Sequence, residues 1–147
     1  MTKYLQGRYI VRNPQKYLGD YNNVIYRSSW ELKFLSWCDN NKNVVAFCSE
    51  EVIVPYKSPV DGKYHRYFVD MLAKIKNQND EIKTYLIEVK PYKQTQQPEQ
   101  RKRVTKQYIT EVATWGVNQA KWKAANEYCL DRGWEFKILT EKELGIN

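Results

Sequence analysis

Histidine is almost missing from this 147-residue chain, His65 being the only one, and the three cysteines, Cys38, Cys48 and Cys129, show no C-x-x-C spacing. Together these shortages argue against a structural zinc site. An odd number of thiols with no signal-peptide pattern leads us to expect a reducing compartment, with the thiols as small buried hydrophobes. No apolar run approaches the roughly 18 residues that a membrane-spanning helix needs, so a soluble protein with no membrane partner is expected. Six glycines and five prolines make no linker-like stretch, and no internal repeat is visible. The length suits one domain with a real core and is too short for two of ordinary size. Acids are also in deficit: 17 against 24 bases, for a net charge of +7. The bases are interleaved with 12 tyrosines and 5 tryptophans. Cations attract phosphate and aromatic faces stack on unpaired bases, so the balance favours a nucleic-acid partner. The charge by itself also fits an acidic protein.

Against that background two carboxylates stand out. The run Tyr85-Leu86-Ile87-Glu88-Val89-Lys90 has the β-branched and aromatic content of a buried strand, yet it holds an acid and a base two positions apart. Side chains alternate faces along a strand, so Glu88 and Lys90 project from the same one. Burying either charge alone is costly, and the cost falls where the carboxylate meets a divalent cation and the ammonium meets a phosphate. On an edge strand Glu-x-Lys is ordinarily a solvated pair. Here the flanks are apolar on both faces and Pro91 ends the ladder directly after Lys90. Asp70 lies 18 positions earlier on a candidate strand running from Tyr64 to Ile75, joined to the first by the turn-like Asn77-Gln78-Asn79-Asp80. A hairpin would bring Asp70 and Glu88 together as a hard-oxygen site suited to Mg²⁺, with Lys90 beside it for phosphodiester chemistry.

The rest of the chain frames this pair. Residues 1–26 are basic and tyrosine-rich, are broken by Gly7, Pro14 and Gly19, and are read as an extended arm lying over the core or reaching to a partner. Residues 28–38 have helical spacing, and Ser28 with Glu31 fits a capping box, which accounts for the glutamate locally. Residues 44–47 and 51–56 read as strands, and Asp61-Gly62 marks a hairpin turn. His65 and Arg66, just ahead of Asp70, are placed to face the same cleft and contact a phosphate. The polar run 93–103 contributes Lys93, Arg101, Lys102 and Arg103 as a candidate strap on a DNA backbone. Helical patterns cover 104–115 and 117–132, with Gly116 expected to separate them and Gly133 to stop the second. Asn118 and Lys121 then lie in the first turns of the second helix, where a phosphate can be held. A final strand at 134–138 and a helical turn from Thr140 complete an α/β domain with a mixed sheet packed by helices.

Asp70 with Glu88-Val89-Lys90, preceded by a helix bearing Glu31 and followed by a helix and a strand, resembles the PD-(D/E)xK nuclease superfamily; Val69 stands where the motif has proline. The segments Tyr26-Arg27-Ser28-Ser29-Trp30-Glu31 and His65-Arg66-Tyr67-Phe68-Val69-Asp70 are similar to its transposon endonuclease-subunit branch. Adding Ser49-Glu50-Glu51, Pro55 through Asp61, Ile87 through Pro91 and Ala120-Lys121-Trp122, most of the chain resembles the head completion nucleases of T-even-type tailed phages. The resemblance implies a restriction-endonuclease-like core over 27–147. It also implies a Mg²⁺-dependent deoxyribonuclease, Mn²⁺ standing in, that acts in head completion and head–tail joining. Glu31, Asp70 and Glu88 would be the metal site, with Lys90 as the fourth catalytic residue. Expected partners are DNA and portal, neck or other head-completion proteins. The expected locations are the virion head–neck region and the cytoplasm of the infected host. The competing readings are a structural head or neck connector, and a DNA-binding protein with a vestigial metal site.

Overall fold

The computed structural model describes residues 6–145; the first five residues of the expected arm lie outside them. Two short strands, β1 (Gly7–Tyr9) and β2 (Val24–Tyr26), pair antiparallel and precede helix α1 (Ser29–Asn40). Strands β3 (Val44–Ser49), β4 (Ile53–Lys57), β5 (Tyr64–Phe68), β6 (Met71–Lys76) and β7 (Ile82–Val89) follow. The chain ends in α2 (Lys106–Arg132), β8 (Glu135–Leu139) and the short α3 (Glu141–Leu144). The central sheet has the order β3-β6-β7-β8. β6 is antiparallel to both β3 and β7, whereas β8 is parallel to β7 because the long crossover through α2 returns the chain to the same end. The expected mixed sheet flanked by helices is therefore what forms. No helix among the described residues is long and apolar enough to cross a membrane.

Two expectations need correcting. Residues 64–75 are not one strand: β5 pairs with β4 in a separate two-stranded sheet, and β6 enters the central sheet. The chain changes sheets at Val69-Asp70, where Val69 N–H donates to Val52 O and Asp70 O accepts from Glu50 N–H, so the crossing leaves these backbone groups satisfied. Nor does Gly116 split the later helix, since α2 runs unbroken through it. A mid-helix glycine costs about 1 kcal/mol against alanine. Here the flanking turns bury Asn118, Trp122, Ala125 and Cys129 along one stripe, which outweighs that cost. The ends match their signals, with Thr105 as N-cap accepting from Tyr108 N–H and Gly133 left-handed at φ +71°.

Residues 7–26 are tied to the core. Val11, Tyr17 and Val24 are buried, and the Tyr17 ring stands edge-on to Phe47 at 5.2 Å while its hydroxyl accepts from Ser49 N–H. Asp39, 1% exposed near the end of α1, is the clamp. Its carboxylate accepts from the Tyr9 hydroxyl (2.6 Å), the Arg12 N–H (2.7 Å) and both the backbone and side-chain amides of Asn13 (3.0 and 3.1 Å). Lys16 Nζ meets the carbonyls of Cys38, Asp39 and Asn41, a cation placed on a helix C-terminus. Burial alone would raise the Asp39 pKa, but these bonds overcome it and hold the carboxyl below its ordinary value.

Asp39→Ala should cost about 2–4 kcal/mol in urea unfolding at pH 7, because several buried donors lose a charged acceptor. It should also open residues 7–24 to limited proteolysis. The Asp39 contribution is fully present above the unfolded carboxylate value of about 3.9 and is lost as pH falls through its lowered folded value. The gap between wild type and variant should therefore narrow in acid.

Candidate active site

Met71 pairs with Ile87 in the antiparallel β6–β7 ladder, so Asp70, one step before β6, stands across from Glu88 near the end of β7. Cross-strand partners share a face, and the two carboxyl groups come within hydrogen-bonding reach of each other. Asp70 Oδ2 accepts from Val89 N–H at 2.8 Å. Burial, and next the Glu88 charge, hold the Asp70 pKa well above the ordinary carboxylate range. Glu88 is itself only 5% exposed. Its Oε2 accepts from the Trp122 indole of α2 at 3.1 Å and lies 4.0 Å from Lys90 Nζ, on the face that the two-residue spacing required.

Tyr67, in β5, closes the wall beside this pair. Its buried hydroxyl lies next to Glu88 and Trp122 but makes no well-aligned hydrogen bond with a protein group. Burial first, and then the charges of Glu88 and Asp70, push its pKa up. Lys121 Nζ sits over the rings of Tyr56 and Tyr67 at 5.7 and 5.5 Å, on the same side of α2.

On the other flank, Ser28 caps α1 by accepting from Glu31 N–H at 3.2 Å, and its hydroxyl donates back to Glu31 Oε2 at 3.3 Å. The Glu31 pKa is raised by burial and by the Glu50 charge. Glu50 is held by Arg27 through two 3.2 Å bonds and has φ +55°, a strained region for a glutamate. The Glu50 N–H donates to Asp70 O at 3.1 Å, so this strained residue helps fix where Asp70 begins. Glu31 adds a smaller repulsion on Asp70. Among the described residues, however, no three His, Cys, Asp or Glu side chains converge closely enough to form a metal-holding group. The Ser28 bond turns Glu31 back toward its own helix start.

The expected DNA contacts scatter. His65 and Arg66 are neighbours on β5 and project to opposite faces, so they do not share a cleft; His65 Nε2 lies 2.7 Å from Asp61 and Arg66 lies over Phe68. Asn118 is buried in the middle of α2, with no helix N-terminus beside it. Lys93 lies in the 3₁₀ turn Tyr92–Thr95, just past Lys90. Arg101 meets Glu111 at 3.4 Å, while Lys102 and Arg103 are exposed ahead of α2. Trp122, Tyr67 and Glu50 were not assigned roles from sequence. Of these only Trp122, four residues after Asn118 on the same helical stripe, carried a usable signal.

Two carboxyl groups crowded together, with the Tyr67 hydroxyl that lacks an aligned partner beside them and the Lys90 ammonium 4.0 Å from Glu88, form an oxygen-rich site. That donor set fits a hard divalent cation held by Asp70 and Glu88.

The fold and this site define a class. Residues 41–141 match the family model of the TnsA-like endonuclease N-terminal domain, which takes in Asp70, Glu88, Lys90 and Trp122, and the chain belongs to that restriction-endonuclease-like family. More particularly, it is 39% identical over 142 residues, covering 94% of this chain and 92% of the relative, to the head completion nuclease of Enterobacteria phage T4. No solved structure matches the chain.

Because the Asp70 pKa is raised, the folded protein keeps a proton there that the unfolded chain has already lost, so stability falls as pH climbs from about 3.9 toward the raised value. Asp70→Asn, which can still accept from Val89 N–H, should raise the melting temperature at pH 8 in EDTA. The gain should shrink as pH is lowered toward 4, and a scanning calorimeter measures both.

Proposed function

We propose that this chain is a divalent-metal-dependent deoxyribonuclease acting in phage head completion, with Asp70 and Glu88 holding Mg²⁺, for which Mn²⁺ can stand in. The meeting of Asp70 and Glu88 across the β6–β7 ladder carries this reading. A cation bound there would supply Lewis-acid activation of water and neutralise charge on a phosphodiester. The chain's own groups do the rest. Trp122 fixes the orientation of Glu88 through the 3.1 Å indole bond, and the Val89 N–H fixes Asp70. Lys90, close to Glu88 yet still partly exposed, offers its ammonium to the charge that develops on the attacked phosphate. Glu31 stands in reserve at the start of α1, where release of its Ser28 bond would let it join the metal shell. Lys121 and the basic residues Lys93, Arg101, Lys102 and Arg103 draw in the DNA backbone. The similarity to a head completion nuclease supports a role in head completion; the place proposed for it is beside the portal and neck during head–tail joining, in the virion and in the infected cell's cytoplasm.

Asp70→Ala and Glu88→Ala should each lower Mg²⁺-dependent plasmid nicking by about three orders of magnitude or more, since the site acts as a unit. Both variants should still bind DNA in EDTA, and cleavage that survives either substitution would remove the assignment. Trp122→Phe keeps the packing but deletes the donor. It should lower nicking about 10–100-fold and move the metal concentration for half-maximal rate upward.

A further inference from the structure

The β4–β5 hairpin has two unlike faces. Its register pairs Ile53 with Phe68, Pro55 with Arg66, and Lys57 with Tyr64. The intervening pairs, Val54 with Tyr67 and Tyr56 with His65, put buried Val54, Tyr56 and Tyr67 on the inner face. By strand alternation the first six residues all lie on the outer face, which is open. Tyr64 is 74% exposed and Phe68 43%, Arg66 lies over the Phe68 ring at 5.5 Å, and the six include two cations and no acid. The outer face is the one opposite Tyr67, and the strand that carries it runs on to Asp70 two residues after Phe68.

A protein interface is depleted of lysine relative to the rest of the surface. Here Lys57 stands opposite Tyr64, and cations and rings alternate along the hairpin. That mixture matches a single nucleic-acid strand, whose phosphates take the cations and whose unpaired bases stack on the rings. An intact duplex keeps its bases stacked on one another and offers such rings nothing to stack on.

We propose that the outer face of the β4–β5 hairpin holds a single DNA strand, bases on Tyr64 and Phe68 and phosphates at Lys57 and Arg66, and so favours DNA that carries unpaired bases. This rests on the nuclease reading and names its substrate class. The test is fluorescence anisotropy in EDTA with a labelled oligothymidylate and a duplex of equal length. Cutting is silent there, so the outcome is independent of whether Asp70 and Glu88 form a working site. Tyr64→Ala combined with Phe68→Ala should weaken single-strand binding at least about tenfold and leave duplex binding within about twofold. Tyr64→Phe should retain single-strand affinity. Arg66→Gln should flatten the salt dependence of single-strand binding by about 0.7 in log–log slope. Equal losses on both DNA forms would overturn the proposal. So would unchanged single-strand affinity in the double variant, which would leave the face to a protein partner.

Discussion

Two carboxyl groups crowded against each other, one of them holding its proton well above the usual carboxylate range, are the constraint around which this molecule is arranged. Asp70 and Glu88 come from strands that touch only because a five-residue turn folds β7 back on β6, with Asn77 Oδ1 accepting from the N–H groups of Asn79 and Glu81 and Asp80 left-handed at φ +62°. A slip of one residue would send one of the carboxylates to the opposite face. The apolar end of the ladder, Met71 to Ala73 against Tyr85 to Ile87, therefore sets the register on which the site depends. The crowding is costly, because Asp70 can ionise only against burial and the Glu88 charge. It persists because the hydrophobic sheet around it over-determines the backbone, which is how strain is held at functional positions.

The supports come from elements far apart in sequence. α2 returns along the sheet to bring Trp122 onto Glu88, while β5 contributes Tyr67 before the chain crosses at Val69-Asp70. Glu50, at the far end of β3, spends a left-handed conformation on a backbone bond to Asp70. On the outside, the Asp39 clamp and Lys16 fasten residues 7–26 across the C-terminal end of α1, which in turn presents Glu31 at its first turn. The site is thus held at its edge by the N-terminal strands and at its centre by the crossover helix.

Much of this could be read from residue order, and the exceptions have physical causes. Period-two alternation placed Glu88 and Lys90 on one face, and they lie 4.0 Å apart. Ser28 three residues before Glu31 announced the start of α1, and Gly133 its counterpart at the end of α2. Alternation cannot reveal a change of partner, so 64–75 read as one strand although the chain switches sheets in its middle. Gly116 looked like a boundary because intrinsic propensity is local, whereas the buried stripe that keeps α2 intact is tertiary. For the same reason Asn118 seemed to lie at a helix start and is in fact interior. His65 and Arg66 were both expected at the cleft because they lie just ahead of Asp70, yet neighbours in a strand face opposite ways. Trp122 and Tyr67 look like ordinary core aromatics, and only the folded arrangement shows their polar ends beside Glu88.

The reading proposed for the crowded carboxylates is a shared cation. Anomalous diffraction from a Mn²⁺-soaked crystal tests this directly. The account predicts a peak between Asp70 and Glu88, about 2.1 Å from an oxygen of each. A manganese peak elsewhere, with that gap empty in protein that still cuts DNA, would contradict it.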